Sequence, residues 1–185
     1  MKSIGLVIFM CILLSLSASN SYAANEVYYI GTGDVLEVSV WKDPELSRTV
    51  IVPPDGIISF PLIDNIRVTN LTVEDLDKVL TQKLSEFVPD VTVTVMLTEI
   101  NSLKAYVIGK VKAPGVYDIT LDTDVMQILA QAGGLTPFAS DGNIIVLRRK
   151  NNQITKIPFD YGEVEKGKNL EQNILLQPGD VVVVP

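Results

Sequence analysis

Residues 72–98 read TVEDLDKVLTQKLSEFVPDVTVTVMLT, and the apolar period changes once along them. In the first part Val73, Leu76, Leu80, Leu84 and Phe87 fall on one stripe of a helix, with Val79 at its edge. Thr72 stands where an N-cap belongs. Asp75, three residues on, completes a capping box with Asp in place of the preferred Glu. Pro89 ends the helix, and from Val91 the period is two. Val91, Val93, Val95 and Leu97 share one face, while Thr92, Thr94, Met96 and Thr98 share the other. A helix running straight into a half-buried strand sets the class as α+β.

The same periods recur on both sides. Over 34–42, Leu36, Val38 and Val40 alternate with Glu37, Ser39 and Trp41, which predicts a strand. Short strands at 49–52 and 57–60 flank Pro53-Pro54-Asp55-Gly56, a hairpin or turn signal. The first unit therefore reads β-β-β-α-β over 24–98, and a polar joint follows at 99–104.

The second unit, 105–185, opens with a strand at 105–108, turns at Gly109 and again at Pro114-Gly115, and continues in a strand at 116–119. Val125, Ile128, Leu129 and Ala132 mark a helix capped by Asp122 or Thr123, with Gly133-Gly134 as its left-handed exit. Strands at 144–148 and 153–157 form a hairpin around Asn151-Asn152. Val181 to Val184 is apolar on both faces and so belongs in the centre of a sheet. This order suits a β-grasp-like domain, giving two small tandem α+β units. Gly33-Asp34-Val35 and Gly179-Asp180-Val181 each launch a valine-rich strand, a weak internal echo explained by one turn chemistry used twice.

The amino terminus reads as an address. Residues 1–23 carry Lys2 as their one charge, an apolar run from Ile4 to Leu16, and small residues Ser21 and Ala23 around a cleavage point. That is a secretory signal peptide, too short for a membrane span. Cys11, the single cysteine, leaves with it; Phe9-Met10 before it is not a lipidation sequence, so no lipid anchor is predicted. The whole chain carries 15 basic and 22 acidic residues and no histidine; after cleavage 14 and 22 remain, a net of −8. Lack of histidine removes Ser-His-Asp and Cys-His catalysis and imidazole zinc sites. The acidic balance argues against nucleic acid as a partner. A chain 47% hydrophobic and 20% charged has the composition of a folded protein.

Candidate sites are few, and each has a structural explanation. Gly33-Asp34 and Asp55-Gly56 could offer carboxylates to a ligand, but Asx-type turns account for both. Gly133-Gly134 follows a helix, whereas a phosphate cradle precedes one. Asn70-Leu71-Thr72 matches a glycosylation sequon, yet Thr72 is explained as a cap. Trp41, Tyr28, Tyr29, Tyr106 and Tyr117 could stack on sugars, although aromatics on strands more often serve core or interface. Thr92 and Thr94 lie on a flat strand face open to subunit pairing or to solvent. Glu74 and Asp75 suit a helix start, and Glu163 and Glu165 sit in a charged loop with Lys166 and Lys168. Neither pair has the setting that separates two carboxyl pKa values. No catalytic, cofactor or metal residue is assigned.

Taken in order, these motifs resemble the polysaccharide biosynthesis/export family, in which an export domain precedes a soluble-ligand-binding β-grasp (SLBB) domain. The first domain's pattern is seen in residues 29–36, in Val40-Trp41, Pro54-Asp55-Gly56, Phe60-Pro61-Leu62-Ile63, Asn70-Leu71-Thr72 and Pro89-Asp90-Val91. The second domain's is seen in Val107-Ile108-Gly109-Lys110, Pro114-Gly115-Val116-Tyr117, Ala132-Gly133-Gly134 and Leu176-Gln177-Pro178-Gly179-Asp180. The resemblance implies a capsule or exopolysaccharide exporter component, stacked in rings in the periplasm and outer membrane. Such a ring encloses the polymer and works with an inner-membrane polysaccharide co-polymerase.

With no lipidation sequence, one β-grasp unit and a chain ending at Pro185, the expectation is a short periplasmic ring or adaptor, peripheral to the outer membrane at most. The outer-membrane pore would then come from another protein. The expected role is non-enzymatic guidance of the polymer. The alternative is a stand-alone periplasmic glycan-binding module using Tyr106 or Tyr117; a lyase or hydrolase acting on the polymer ranks below both.

Overall fold

The computed structural model describes residues 27–150 and 153–185. The signal peptide and the Asn151-Asn152 turn read from the sequence lie outside the described residues. Strand β1 (Val35–Val40) buries Leu36, Val38 and Val40, as its alternation predicts. It pairs antiparallel with β2 (Arg48–Ile51) on one side and with β5 (Val93–Glu99) on the other, so β5 is an edge strand of a three-stranded sheet. Helix α1 (Val73–Leu84) packs Leu76, Leu80 and Leu84 into the core that this sheet covers. Thr72 and Asp75 form the reciprocal capping box, with Thr72 Oγ1 accepting from the Asp75 amide at 3.0 Å. Hydrogen bonds that the Asp75 carboxylate accepts from the Thr72 side chain and from the Thr72 amide hold that carboxyl below its ordinary range.

Three details of the first unit differ from the sequence reading. Strands 49–52 and 57–60 do not form a hairpin: β2 joins β1, while β3 (Ile57–Phe60) pairs with an additional strand, β4 (Ile63–Arg67). Pro53 to Gly56 is a turn, closed by the Gly56 amide on the Pro53 carbonyl at 2.9 Å, but it carries the chain from one sheet to another. β4 escaped notice because Asp64, Asn65 and Arg67 break its apolar pattern. The β3–β4 hairpin turns through Pro61 and Leu62, and Ile58 and Ile66 opposite one another fill the core. Phe87 lies beyond the end of α1, whose C-cap is Ser85, and is exposed, its amide closing a turn on the Leu84 carbonyl at 2.9 Å.

In the second unit, β6 (Lys104–Gly109), β7 (Gly115–Asp118), β8 (Ile144–Lys150), β9 (Gln153–Phe159) and β10 (Val181–Val184) form one sheet in the order β7-β6-β10-β8-β9. β10 is central, parallel to β6 and antiparallel to β8. Helices α2 (Val125–Gln131) and α3 (Tyr161–Glu165) add Val125, Ile128, Leu129 and Val164 to a second core with Ala105, Val107, Val146, Val182 and Val184.

Here too there are corrections. The cap of α2 is Asp124, not Asp122 or Thr123; its carboxylate accepts from the Gln127 amide at 2.8 Å, and Gln127 answers. Thr123 instead ties the preceding turn, its hydroxyl accepting from the Thr120 amide at 2.8 Å. Glu163 and Glu165 belong to the short helix α3, whose cap Asp160 accepts from the Glu163 amide at 3.0 Å, rather than to a loop. Finally, β10 buries only Val182 and Val184 fully; Val181 and Val183 face the other side and are half-buried.

Candidate functional site

The repeated Gly-Asp motif builds two matching turns. Gly33 and Gly179 both have positive φ (92° and 84°), the left-handed backbone that favours glycine. In the first turn the Asp34 carboxylate accepts from the Gly31 amide three residues back at 2.8 Å. In the second, Asp180 accepts from the Gln177 amide at the same 2.8 Å. The amides of Gly33 and Gly179 each donate to a neighbouring segment, to the Val52 and Lys104 carbonyls at 2.8 Å. Both aspartates are fully buried, so each remaining carboxylate oxygen needs a partner.

Those partners differ. Asp34 Oδ1 accepts from the amides of Asn101 (3.0 Å) and Ser102 (2.9 Å), which lie in the joint between the units. Its Oδ2 also accepts the Tyr28 hydroxyl, and Ser102 Oγ lies 3.0 Å from that hydroxyl. Burial, reinforced by the Asp34 carboxylate, pushes the Tyr28 phenol up to about 12. Tyr28 precedes β1 of the first unit in sequence yet packs against the second unit's core. Gly31 makes room for the joint, since a Cβ there would stand 2.3 Å from the Ser102 Cβ. Asp180 is instead gripped by Arg148, whose Nε and Nη2 donate to its two oxygens at 3.0 and 2.7 Å. Arg148 Nη2 also reaches the Leu175 carbonyl at 2.8 Å. The sequence reading missed Ser102 and Arg148, which have no local motif; their partners lie 68 and 32 residues away.

Above the joint an apolar groove of about 720 Å³ runs between the units, walled by Val27, Val73, Leu97, Ile100, Leu103 and Leu121. Glu74, Asp118 and Thr120 stand on its polar margin.

The other surface of note is the side of the second sheet away from α2 and α3. One row across it runs Val116, Tyr106, Val181, Leu147, Lys156, and a second runs Ile108, Val183, Ile145, Pro158. Tyr106, Ile108, Val116 and Ile154 are 41%, 47%, 56% and 60% exposed, so no helix of the described residues covers this face. A shallow cleft of about 400 Å³ opens there between Leu147, Arg149, Ile154 and Pro178. On the first sheet the outward row is Thr49, Glu37, Met96, with Ile51 opposite Val35 and Thr94 opposite Ser39.

The remaining sequence candidates are dispersed. Trp41 follows β1 in a turn and is among the most exposed side chains, its amide bonded to the Thr92 carbonyl at 2.9 Å. Trp41, Tyr29 and Tyr106 are all exposed, so of the two strand-aromatic roles, core or interface, none of the three takes the core one. Tyr117 donates its hydroxyl to the Ala113 carbonyl, bracing the turn through Pro114 and Gly115. Asp55 accepts from the Ile57 amide at 3.1 Å, closing its own turn at Gly56. Gly109 ends β6 beside Val184, and Gly133 and Gly134 leave α2 with φ of 78° and 82°. Thr94 is exposed on the edge strand β5, whereas Thr92 lies just before it. Among the described residues no three acidic, cysteine or histidine side chains converge in a metal-binding arrangement. Among them, too, no helix is long and apolar enough to cross a membrane.

Residues 22–98 match the family model for polysaccharide biosynthesis/export proteins, and residues 103–184 match that of the SLBB domain. The EPS I polysaccharide export outer membrane protein EpsA of Ralstonia nicotianae is 30% identical over 85% of this chain and 47% of its own length. The polysialic acid transport protein KpsD of Escherichia coli is 28% identical over 86% of this chain and 28% of its own. The capsule polysaccharide export protein BexD of Haemophilus influenzae is 27% identical over 83% and 42%. The chain therefore spans less than half the length of these relatives. With both domains matched in order on a two-unit α+β fold, the chain belongs to the polysaccharide biosynthesis/export protein family.

Proposed function

We propose that this protein is a component of a capsule or exopolysaccharide export apparatus, exported to the periplasm, that assembles with copies of itself and guides the finished polymer. It makes and breaks no bond in that polymer. An inner-membrane polysaccharide co-polymerase is its proposed partner. The observation that carries this reading is the ordered pair of domains, export then SLBB, shared with relatives whose names are those of polysaccharide exporters. The joint supports it further: a buried carboxylate and a tyrosine tie the two units together, as a part of a larger scaffold requires.

Deletion of the gene should reduce surface polysaccharide and leave polymer inside the envelope, with both restored by the wild-type copy. Normal delivery in a strain lacking any paralogue would refute the proposal. The half-exposed Tyr106 beside the Arg149 cleft favours one other reading, a monomeric glycan-binding module. Calorimetry with fragments of the cognate polymer separates the two, since saturable binding by a monomer supports the second.

A further inference from the structure

We infer that the uncovered face of the second sheet is the docking surface for a second copy of this chain, and that it receives the outer face of the neighbour's first sheet. This rests on the self-assembly proposed above and assigns the surfaces that make it. The parallel β6–β10 pair is apolar on both sides, and sheets containing such pairs are normally covered on both. Here helices cover one side, and Tyr106, Ile108, Val116, Val181, Val183 and Ile154 remain on the other. With strands about 4.8 Å apart, five of them span roughly 19 Å, wide enough to be the centre of a protein interface.

Charge selects the occupant. The uncovered face carries Lys104, Arg149 and Lys156 against Asp118, which is paired to Lys104 at 2.7 Å. Two such faces brought together would set Arg149 and Lys156 against their own copies. Residues 27–99 hold five basic against twelve acidic residues, a net of −7, whereas residues 100–185 hold nine of each. The acidic charge of the chain is thus concentrated in its first unit. That unit's sheet offers Ile51 and Met96 as exposed apolar groups beside Glu37, and the exposed Trp41 follows in the turn after β1. An apolar face with a basic margin meets an apolar face with an acidic centre. Because the two surfaces are different, the contact is head-to-tail and propagates from copy to copy, closing into a ring if the rotation permits.

The test uses two charge insertions in the purified full protein. Tyr106→Glu blocks the second-unit face, and Met96→Glu blocks the first-unit face; both sites are exposed, and thermal melts verify folding. Arg149→Glu and Ile51→Glu serve as second variants on the same two faces. Mass photometry should find wild type assembled and each variant monomeric. An equimolar mixture of the Tyr106→Glu and Met96→Glu proteins should form 1:1 dimers, because each retains the surface the other lacks. Variants that assemble as wild type does, or monomeric variants that fail to pair on mixing, would overturn this assignment while leaving self-assembly standing. A wild-type protein that stays monomeric at the highest concentration reached would overturn self-assembly itself.

Discussion

Asp34 and Asp180 close the same four-residue turn but commit their second oxygen to different tasks, the one to the joint and the other to Arg148. One local motif thereby serves as an inter-unit clasp in the first case and as an internal brace in the second. The consequences of breaking each are different.

Arg148→Met leaves the Asp180 carboxylate buried without its cation. Removing one partner of a buried pair costs about 3–5 kcal/mol, because the remaining charge stays desolvated. Chemical denaturation should show a loss in that range. The double variant Arg148→Met/Asp180→Leu should recover most of it, and a single-variant loss below about 1 kcal/mol would show that solvent reaches Asp180.

Asp34→Ala removes the acceptor shared by the Asn101 and Ser102 amides and the Tyr28 hydroxyl. Hydrogen bonds to a charged group are worth about 1.5–3 kcal/mol each. Scanning calorimetry of wild type should give one transition, and the variant should give two as the units uncouple. Limited proteolysis should then cut within 99–104. An unchanged single transition together with an unchanged cleavage rate contradicts the clasp.

Tyr28 sets an alkaline limit on the same cluster. Its folded-state pKa, about 12, lies above the ordinary value of 10.0, so the fold favours the neutral phenol. That contribution is complete below pH 10 and is lost progressively as pH rises through the folded value. Stability measured from pH 9 to 12 should fall more steeply for wild type than for Tyr28→Phe. Parallel curves would place the titration elsewhere.

In helix α1, Leu80→Ala should cost about 2–5 kcal/mol, since the side chain is fully buried in the first core. Thr72→Ala should cost about 1 kcal/mol through loss of the cap. Phe87→Ala should change stability by no more than about 0.5 kcal/mol, because that ring is exposed. Equal losses for Leu80→Ala and Phe87→Ala in urea unfolding would restore the longer stripe read from the sequence.

Local chemistry settled much of this molecule in advance. The 3.6 and 2.0 periods placed α1 and β1, Thr72 and Asp75 announced their cap, and the unbroken valine run put β10 at the centre of its sheet. Such features depend on residues within a few positions of one another, so the order of side chains along the chain is sufficient. What the chain order could not decide was which segments meet. β2 chose β1 over the nearer β3, β4 formed despite its polar residues, and Asp34 and Asp180 found partners 68 and 32 residues distant. Nor could it say that only one side of the valine strand would be covered. Two-sided hydrophobicity records that a strand is to be buried, but which element supplies each cover depends on where packed helices and neighbouring surfaces come to rest.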